Sequence, residues 1–168
     1  MARHALRLAR LDPYVRSGHV ETDPEKVEPL DLADLLELLR LVPWKDLGSD
    51  TTIWLNPAFG LHSSRVGGAD CDLISGDRLI DLKATVRPST TTDLRQVLGY
   101  LLLARAARAT DASFPAIHRF GVYYARHREL VLVPVAQLRG PRSLEAVQER
   151  FFRRAEALSG GQGRKGDR

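Results

Sequence analysis

Three stretches of the chain carry apolar residues at the spacing of an amphipathic helix. From Leu30 to Val42, leucines fill most positions while charged side chains recur at every third residue, which predicts a helix over this range. A longer stretch rich in leucine and alanine predicts a helix from about Leu94 to Ala109. Ser143 is a favourable N-cap for a last helix that ends near Leu158.

Between these helices, short apolar or alternating runs indicate strands. Segments 70–74 and 78–85 flank the turn Ser75-Gly76-Asp77 and predict a hairpin. Two further strands are predicted over 117–125 and 130–135. The order helix, strands, helix, strands, helix predicts an α/β fold with a mixed central sheet flanked by helices.

The same pattern divides the chain into three parts. Residues 1–28 mix charged residues with prolines and predict an irregular N-terminal arm, residues 29–158 form the folded domain, and the glycine-rich residues 159–168 predict a disordered tail. Within the domain, residues 61–75 are expected to be extended. Three aromatic residues are expected to anchor the core: Trp44, Trp54 and Phe59.

Composition adds one asymmetry to this picture. The chain has 168 residues, 43% hydrophobic, with a net charge of +4, which fits one globular domain and excludes a disordered or fibrous protein. Residues 93–168 carry fourteen basic and seven acidic residues, so the whole positive excess lies in this half. Such a surface permits an anionic partner, and a solvated arginine-rich helix face explains it equally well.

Cysteine content and hydropathy narrow the class of protein further. Cys71 is the single cysteine, so neither an intramolecular disulfide nor a cysteine-based zinc site can form, and a core position is the simplest role for it. The longest apolar run, Val97–Ala104, is too short for a membrane span. The first residues lack the uninterrupted apolar segment of a signal peptide. We therefore expect a cytoplasmic protein with no membrane partner.

The predicted hairpin gathers the chain's most reactive side chains. Alternate residues of a strand share a face, so Asp81 lies beside Lys83 and Asp70 lies in phase with Asp72. Carboxylates packed together repel one another, and a divalent cation such as Mg²⁺ or Mn²⁺ relieves that repulsion. The arrangement suits metal-assisted phosphodiester hydrolysis. Ordinary cross-strand ion pairs on a solvent-facing hairpin are the alternative.

The following helix adds an amide and a phenol to this set. Gln96 and Tyr100 are separated by four residues and so lie on one helix face. There they can hydrogen-bond a phosphate or a lysine at the edge of the sheet. Taken alone, the same pair is better explained by a half-buried tyrosine with a glutamine at the rim of the core.

Taken in order, these segments resemble the PD-(D/E)XK nuclease superfamily, in the branch that includes the nuclease domain of RecB and lambda exonuclease. The matching segments are Asp72-Leu73-Ile74, Asp81-Leu82-Lys83 and the Gln-x-x-x-Tyr motif from Gln96 to Tyr100. The resemblance spans about residues 62–105. It implies that residues 29–158 form a restriction-endonuclease-like core with the element order αβββαβ.

The resemblance also implies roles for individual residues. Asp72 and Asp81 would bind Mg²⁺ or Mn²⁺, with the Leu82 carbonyl as a further ligand, and Lys83 would position the attacking water. Gln96 and Tyr100 would bind the substrate. Two more carboxylates, Asp70 and Glu37, are candidate ligands. His62, in the loop before the metal strands, is a candidate for a position near the site.

Three of these assignments leave alternatives open. Asp70 can replace or assist Asp72 because the two are in phase. Glu37 belongs to the polar stripe that includes Asp31 and Arg40, which is also what a solvent-facing stripe looks like. His62 is better explained as an incidental loop histidine.

Two classes of function are therefore carried forward. The first is a Mg²⁺-dependent nuclease that hydrolyses phosphodiester bonds, with DNA as the expected substrate. The second is a catalytically inactive module of the same fold that binds nucleic acid or forms part of a complex. A homo-oligomer or a larger repair or defence complex is compatible with either class.

Overall fold

In the computed structural model of the chain, residues 1–18, 26–48 and 52–162 are described. Their contacts divide the chain into two compact units, Met1–Val42 and Pro43–Arg168. The helix that we expected to open the folded domain belongs to the first unit. Of the predicted disordered tail, residues 163–168 lie outside the described residues.

The first unit contains two helices, α1 (Ala2–Ser17) and α2 (Pro29–Leu41). Helix α1 occupies part of the region in which we expected an irregular arm, because the strong helix formers alanine, leucine and arginine dominate its first ten residues. Helix α2 matches its prediction to within one residue at each end, and Pro29 is its first residue. Arg10 of α1 lies 3.6 Å from the carboxylate of Asp31 on α2.

The second unit is built on a five-stranded mixed sheet whose strands lie side by side in chain order. β1 (Ile53–Leu55) is followed by the single helical turn α3 (Leu61–Ser64), and then by β2 (Leu73–Ser75) and β3 (Arg78–Lys83). β1, β2 and β3 form an antiparallel meander. The predicted hairpin is confirmed, although its first strand is shorter than expected.

One long helix joins the meander to the rest of the sheet. α4 (Thr90–Thr110) leads to β4 (Arg119–Tyr124), which pairs parallel to β3, and β5 (Glu129–Pro134) then pairs antiparallel to β4. A parallel neighbour requires such a crossover, because a tight turn can only reverse the chain. The predicted α/β fold with a mixed sheet is therefore confirmed at this level.

Helix α4 begins four residues earlier than its apolar pattern predicts. The Asp93 carboxylate accepts a hydrogen bond from the Ser89 backbone N–H at 3.2 Å, which satisfies a donor at the start of the helix. From Val97 to Ala107 the helix is buried on several sides, against the sheet, α3 and the last helix, and this explains its leucine and alanine content. The buried residues are Val97, Leu101, Leu102, Leu103, Ala104, Ala106 and Ala107.

The last helix, α5 (Leu144–Gln162), extends further than predicted. Ser143 caps it as expected, since its hydroxyl accepts a hydrogen bond from the Ala146 N–H at 3.3 Å. Residues 159–162, which we assigned to a disordered tail, continue the helix. Among the described residues, the structure contains no helix with the length and apolar character needed to cross a bilayer.

The core confirms one of the three predicted aromatic anchors. Phe59 is fully buried, whereas Trp44 is 58% exposed and Trp54 is 37% exposed, so those two predictions are wrong. Trp44 lies in a turn, and Trp54 lies on the short edge strand β1, where its ring contacts Phe114 but stays partly exposed. Cys71 is buried as expected, and burial raises the pKa of its thiol to about 12.

The expectation of extended chain over residues 61–75 is wrong at its start, where α3 forms instead. The Ser63 hydroxyl holds this turn, because it accepts a hydrogen bond from the Phe59 N–H at 2.9 Å and donates one to the Ala69 carbonyl at 2.6 Å. Gly67 and Gly68 then take positive φ angles, 81° and 100°, and redirect the chain toward β2.

Candidate active site

The β2–β3 hairpin brings the two predicted aspartates to facing positions. Leu73 pairs with Ile80, so Asp72 and Asp81 lie one step further along their strands, at the end away from the turn. The carboxylate of Asp72 accepts a hydrogen bond from the Leu82 N–H at 2.7 Å. This bond fixes Asp72 against β3, and its negative charge contributes to raising the pKa of Asp81.

Asp81 is a buried carboxylate, with 3% of its surface exposed. Lys83 Nζ lies 2.8 Å from Asp81 Oδ2. The ammonium group of Lys83 is therefore the partner of Asp81 Oδ2 in the described part of the chain. A buried carboxylate is costly to the fold unless it is paired, and the lysine supplies that pairing in the free protein.

Burial affects the two partners of this pair differently. Burial raises the pKa of Asp81, and pairing with Lys83 offsets only part of that effect. Burial also lowers the pKa of Lys83, but the hydrogen bond to Asp81 and the charge of Asp81, with smaller contributions from Asp93 and Asp72, reverse the effect and leave this pKa raised. The difference follows from exposure, since the lysine side chain is 25% exposed and the aspartate side chain only 4%.

The predicted Gln-x-x-x-Tyr pair joins the hairpin through Lys83. Lys83 Nζ donates a hydrogen bond to Gln96 Oε1 at 3.0 Å, and Gln96 Nε2 donates to the Tyr100 hydroxyl at 2.7 Å. Tyr100 also stacks on Phe59, with 6.0 Å between ring centroids. One continuous set of contacts therefore runs from Asp81 on β3 to Tyr100 on α4, and burial raises the pKa of Tyr100.

Two residues near Lys83 escaped the sequence analysis. Tyr124 lies beside Lys83 in the parallel register of β3 and β4, and its hydroxyl donates a hydrogen bond to the Asp93 carboxylate at 3.0 Å. Asp93 was not among the residues that we expected at the site. The spacing of Asp93, Gln96 and Tyr100, at i, i+3 and i+7 on α4, was the signal that could have identified it.

The remaining candidate ligands differ in where they lie and in what they contact. Of the two in-phase aspartates, Asp72 makes the bond to β3, while Asp70 is exposed and its backbone bridges Ala58. The Leu82 side chain is 45% exposed, and the role of its carbonyl stays a prediction. Glu37 lies in the first unit, exposed and 3.7 Å from Arg40, and its role as a ligand also stays a prediction.

His62 lies away from these residues. Its Nε2 is 3.4 Å from the Thr110 hydroxyl, at the far end of α4 from Gln96, and its ring packs against Phe152 on α5. Burial, with a smaller contribution from the charge of Arg65, lowers the pKa of His62. His62 is therefore best described as a packing residue.

The donor set suits a hard divalent cation better than zinc. No group of three histidine, cysteine, aspartate or glutamate side chains among the described residues is arranged to hold a metal ion. Asp72 and Asp81 instead offer two carboxylates. Mg²⁺ often binds proteins through one or two carboxylates and keeps several water ligands, whereas zinc sites use three or four protein ligands rich in nitrogen and sulfur.

The functional assignment of this site rests on its own residues. No protein-family model matches the chain, and no curated protein or solved structure matches it either.

Proposed function

We propose that this protein is a Mg²⁺- or Mn²⁺-dependent nuclease of the PD-(D/E)XK type that hydrolyses phosphodiester bonds of DNA. The observation that carries the proposal is the set of contacts joining Asp81, Lys83, Gln96 and Tyr100. These residues come from two motifs that are separated in sequence. Their convergence supports a common site more strongly than either motif does alone.

The topology supports the same proposal. An antiparallel meander of three strands, a crossover helix and a fourth strand parallel to the third is the strand order that an αβββαβ nuclease core requires. The acidic residues of the candidate site lie at the end of β2 and β3 away from the turn. This end faces the first turns of α4, which carry Gln96 and Tyr100.

In this proposal, Asp72, Asp81 and the Leu82 carbonyl would hold the cation. The cation would supply acidification of a coordinated water and neutralisation of charge on a phosphate oxygen. The Asp72 carboxylate is held in place by the Leu82 N–H. Asp81 would supply a buried carboxylate, whose Oδ2 atom is paired with Lys83 in the free protein and would be shared between the lysine and the cation.

Lys83 contributes a fixed positive charge beside these carboxylates. Its ammonium group is held between Asp81 and the Gln96 amide, so it can donate a hydrogen bond to a water or to a phosphate oxygen without first being ordered. Gln96 and Tyr100 orient the lysine in the free protein. They also offer an amide and a hydroxyl to the substrate backbone.

The test is cleavage of labelled plasmid and linear DNA with Mg²⁺ or Mn²⁺. We expect Lys83→Met and Asp81→Asn to lower the cleavage rate at least about 1,000-fold, equivalent to about 4 kcal/mol of transition-state stabilisation. Asp77→Asn, at the turn of the same hairpin, is the matched control and should cut at the wild-type rate. A Lys83→Met or Asp81→Asn protein that cuts as fast as wild type would overturn the proposal.

A nucleic-acid-binding module without turnover is the second candidate. It is favoured by the small ligand set, since among the described residues only two carboxylates face each other and Lys83 already neutralises one of them. This candidate expects salt-sensitive DNA binding that is unchanged in Lys83→Met and no cleavage with either metal. Cleavage by the wild-type protein that is absent from Lys83→Met excludes it.

A further inference from the structure

A groove of about 260 Å³ between α4 and α5 carries three arginines. Arg95 lies on the α4 side, and Arg150 and Arg154 lie on the α5 side. Apolar side chains line the space between them, chiefly Leu98, Leu102 and Phe151. The groove therefore combines three positive charges with a hydrophobic surface and has no acidic side chain in its lining.

The three arginines have no hydrogen-bond or ion-pair partner within the described ranges. Other arginines of this unit are paired with carboxylates: Arg105 with Glu145 at 2.8 Å, and Arg65 with Glu156 at 2.6 Å. All three groove arginines are exposed. Their guanidinium groups are thus free to bind an anionic ligand, whereas the paired arginines would first have to give up a partner.

A neighbouring groove shows that this charge pattern is local. The opposite face of α5 lines a larger groove, of about 510 Å³, together with α3 and the end of α4. That groove contains Arg65 and Arg153, but it also contains Glu149 and Glu156, so the charges of its arginines and glutamates balance. Arg153 and Arg154 are adjacent in sequence and line different grooves.

The arginine groove lies next to the candidate active site on the same helix. Arg95 immediately precedes Gln96, and Gly99 of the groove immediately precedes Tyr100. Successive helix residues are turned by about 100°, so the groove occupies the helix face beside that of the site. A ligand bound at Lys83 and Gln96 can therefore continue across α4 into the groove.

We propose that this groove binds a single-stranded nucleic acid, with phosphates on the three arginines and bases on the apolar surface. Single-strand sites combine a basic track with apolar or aromatic faces on which bases pack, and both features are present here. Choosing nucleic acid as the occupant rests on the nuclease function proposed above. An acidic polypeptide would match the charges but not the path that leads to Lys83.

The test is binding of a fluorescein-labelled 16-nucleotide oligothymidylate, measured by anisotropy in EDTA so that no cleavage occurs. The triple variant Arg95→Gln, Arg150→Gln, Arg154→Gln should bind at least about ten-fold more weakly at low salt. Its plot of log affinity against log salt should lose about 2 from the magnitude of its slope, since each lost phosphate contact removes about 0.7.

Two controls separate the groove from net charge. The triple variant Arg128→Gln, Arg139→Gln, Arg142→Gln removes the same charge from exposed sites outside the groove and should bind within about two-fold of wild type. Arg153→Gln should likewise retain binding that Arg154→Gln weakens. Equal losses in the groove and control variants would overturn the proposal, as would displacement of the oligonucleotide by polyglutamate at equal charge concentration.

Failure of this inference is distinguishable from failure of the nuclease proposal. If the groove variant binds and cuts normally while Lys83→Met does not cut, the groove inference is wrong and the nuclease proposal stands. If the wild-type protein does not cut DNA but its binding in EDTA depends on the three arginines, the nuclease proposal fails and the groove inference stands.

Discussion

The β2–β3 hairpin carries an aspartate paired with a cation at each of its ends, and the two pairs differ in character. At the turn, Arg119 lies 2.7 Å from Asp77, whose side chain is 33% exposed. At the other end, Lys83 lies 2.8 Å from Asp81, whose side chain is 4% exposed. Because the two distances are almost equal, any difference between the pairs comes from burial and geometry.

The pKa values of the two carboxyl groups move in opposite directions. Hydrogen bonds from Arg119 lower the pKa of Asp77, since both the Nε and Nη2 groups donate to its carboxylate. Burial raises the pKa of Asp81 despite the neighbouring lysine. The charge on Asp77 at the turn therefore stabilises the fold, whereas the charge on Asp81 at the other end of the hairpin destabilises it. Such a cost is common where a buried charge serves a function.

Both ends depend on strand β4. Arg119 is the first residue of β4, and Val122 on the same strand lies directly opposite Asp81 in β3. Between them, Gly121 permits a close approach to β5, because a Cβ atom at this position would overlap the Val131 carbonyl oxygen. Changes in β4 therefore test whether the two pairs share one rigid support.

The largest expected effect on stability comes from Gly121→Ala. The added methyl group must displace the β5 backbone, and we expect a loss of about 3 kcal/mol in the free energy of unfolding. Disturbing β4 should also displace Asp81 and lower the rate of DNA cleavage. Urea denaturation followed by circular dichroism measures the first effect, and a cleavage assay measures the second.

Gly99→Ala is the matched control. A Cβ atom at Gly99 would lie 3.7 Å from the Phe151 ring, which is an ordinary contact. Alanine is also a better helix former than glycine, so this variant should be as stable as wild type or more stable by up to about 1 kcal/mol. Equal stability of Gly121→Ala and wild type would show that β4 is not a rigid support shared by the two ion pairs.

For the buried pair of Asp81 and Lys83, we expect a smaller change in the free energy of unfolding, and in the opposite direction. Replacing it with neutral groups of similar size, Asp81→Asn together with Lys83→Met, removes a charge that the fold holds at a cost. Such replacements leave stability unchanged or raise it by about 1 kcal/mol. Thermal unfolding in EDTA, where no divalent cation contributes, makes the measurement.

The same double variant must not cleave DNA, which separates stability from function. The control is the exposed pair, where Asp77→Asn together with Arg119→Met should lower stability slightly and leave cleavage intact. If the Asp81 and Lys83 double variant is less stable by 2 kcal/mol or more, the buried pair is structural, and the contrast between the two ends of the hairpin fails.

Much of the candidate site could be predicted from sequence because the relative positions of its residues depend on local chain geometry. Strand alternation places Asp81 beside Lys83, and helix periodicity places Gln96 beneath Tyr100. Both patterns are readable without tertiary information. The hairpin turn is readable for the same reason, and it explains why the hairpin was expected to gather carboxylates and a lysine.

The burial, exposure and long-range contacts of particular residues could not be predicted from sequence, because they depend on packing between distant segments. The burial of Asp81 requires neighbouring strands and helix α4, and the bond from Tyr124 to Asp93 joins residues 31 positions apart. The exposure of Trp54 follows from its place on an edge strand, which residue type alone does not reveal. Likewise, the charge count located the basic half of the chain but not the groove in which Arg95 meets Arg150 and Arg154.

The smallest predicted effect concerns Asp77 and its dependence on pH. The pKa of Asp77 is below its ordinary value of 3.8 in the folded protein, so the unfolded chain binds the proton more readily. The stabilisation is therefore complete above about pH 5 and is lost as the pH falls below 4. For a pair this exposed, we expect Asp77→Asn to cost about 0.5 kcal/mol at pH 7.

Measuring wild type and Asp77→Asn side by side from pH 7 to pH 2.5 isolates this carboxyl group, because every other group titrates in both proteins. The difference in unfolding free energy should shrink toward zero below the folded pKa. A double-mutant cycle with Arg119→Gln should assign most of the difference at pH 7 to the pair. A difference that persists at pH 2.5 would mean that Asp77 acts through the geometry of the turn and not through its charge, and the electrostatic contrast between the two ends of the hairpin would then rest on Asp81 alone.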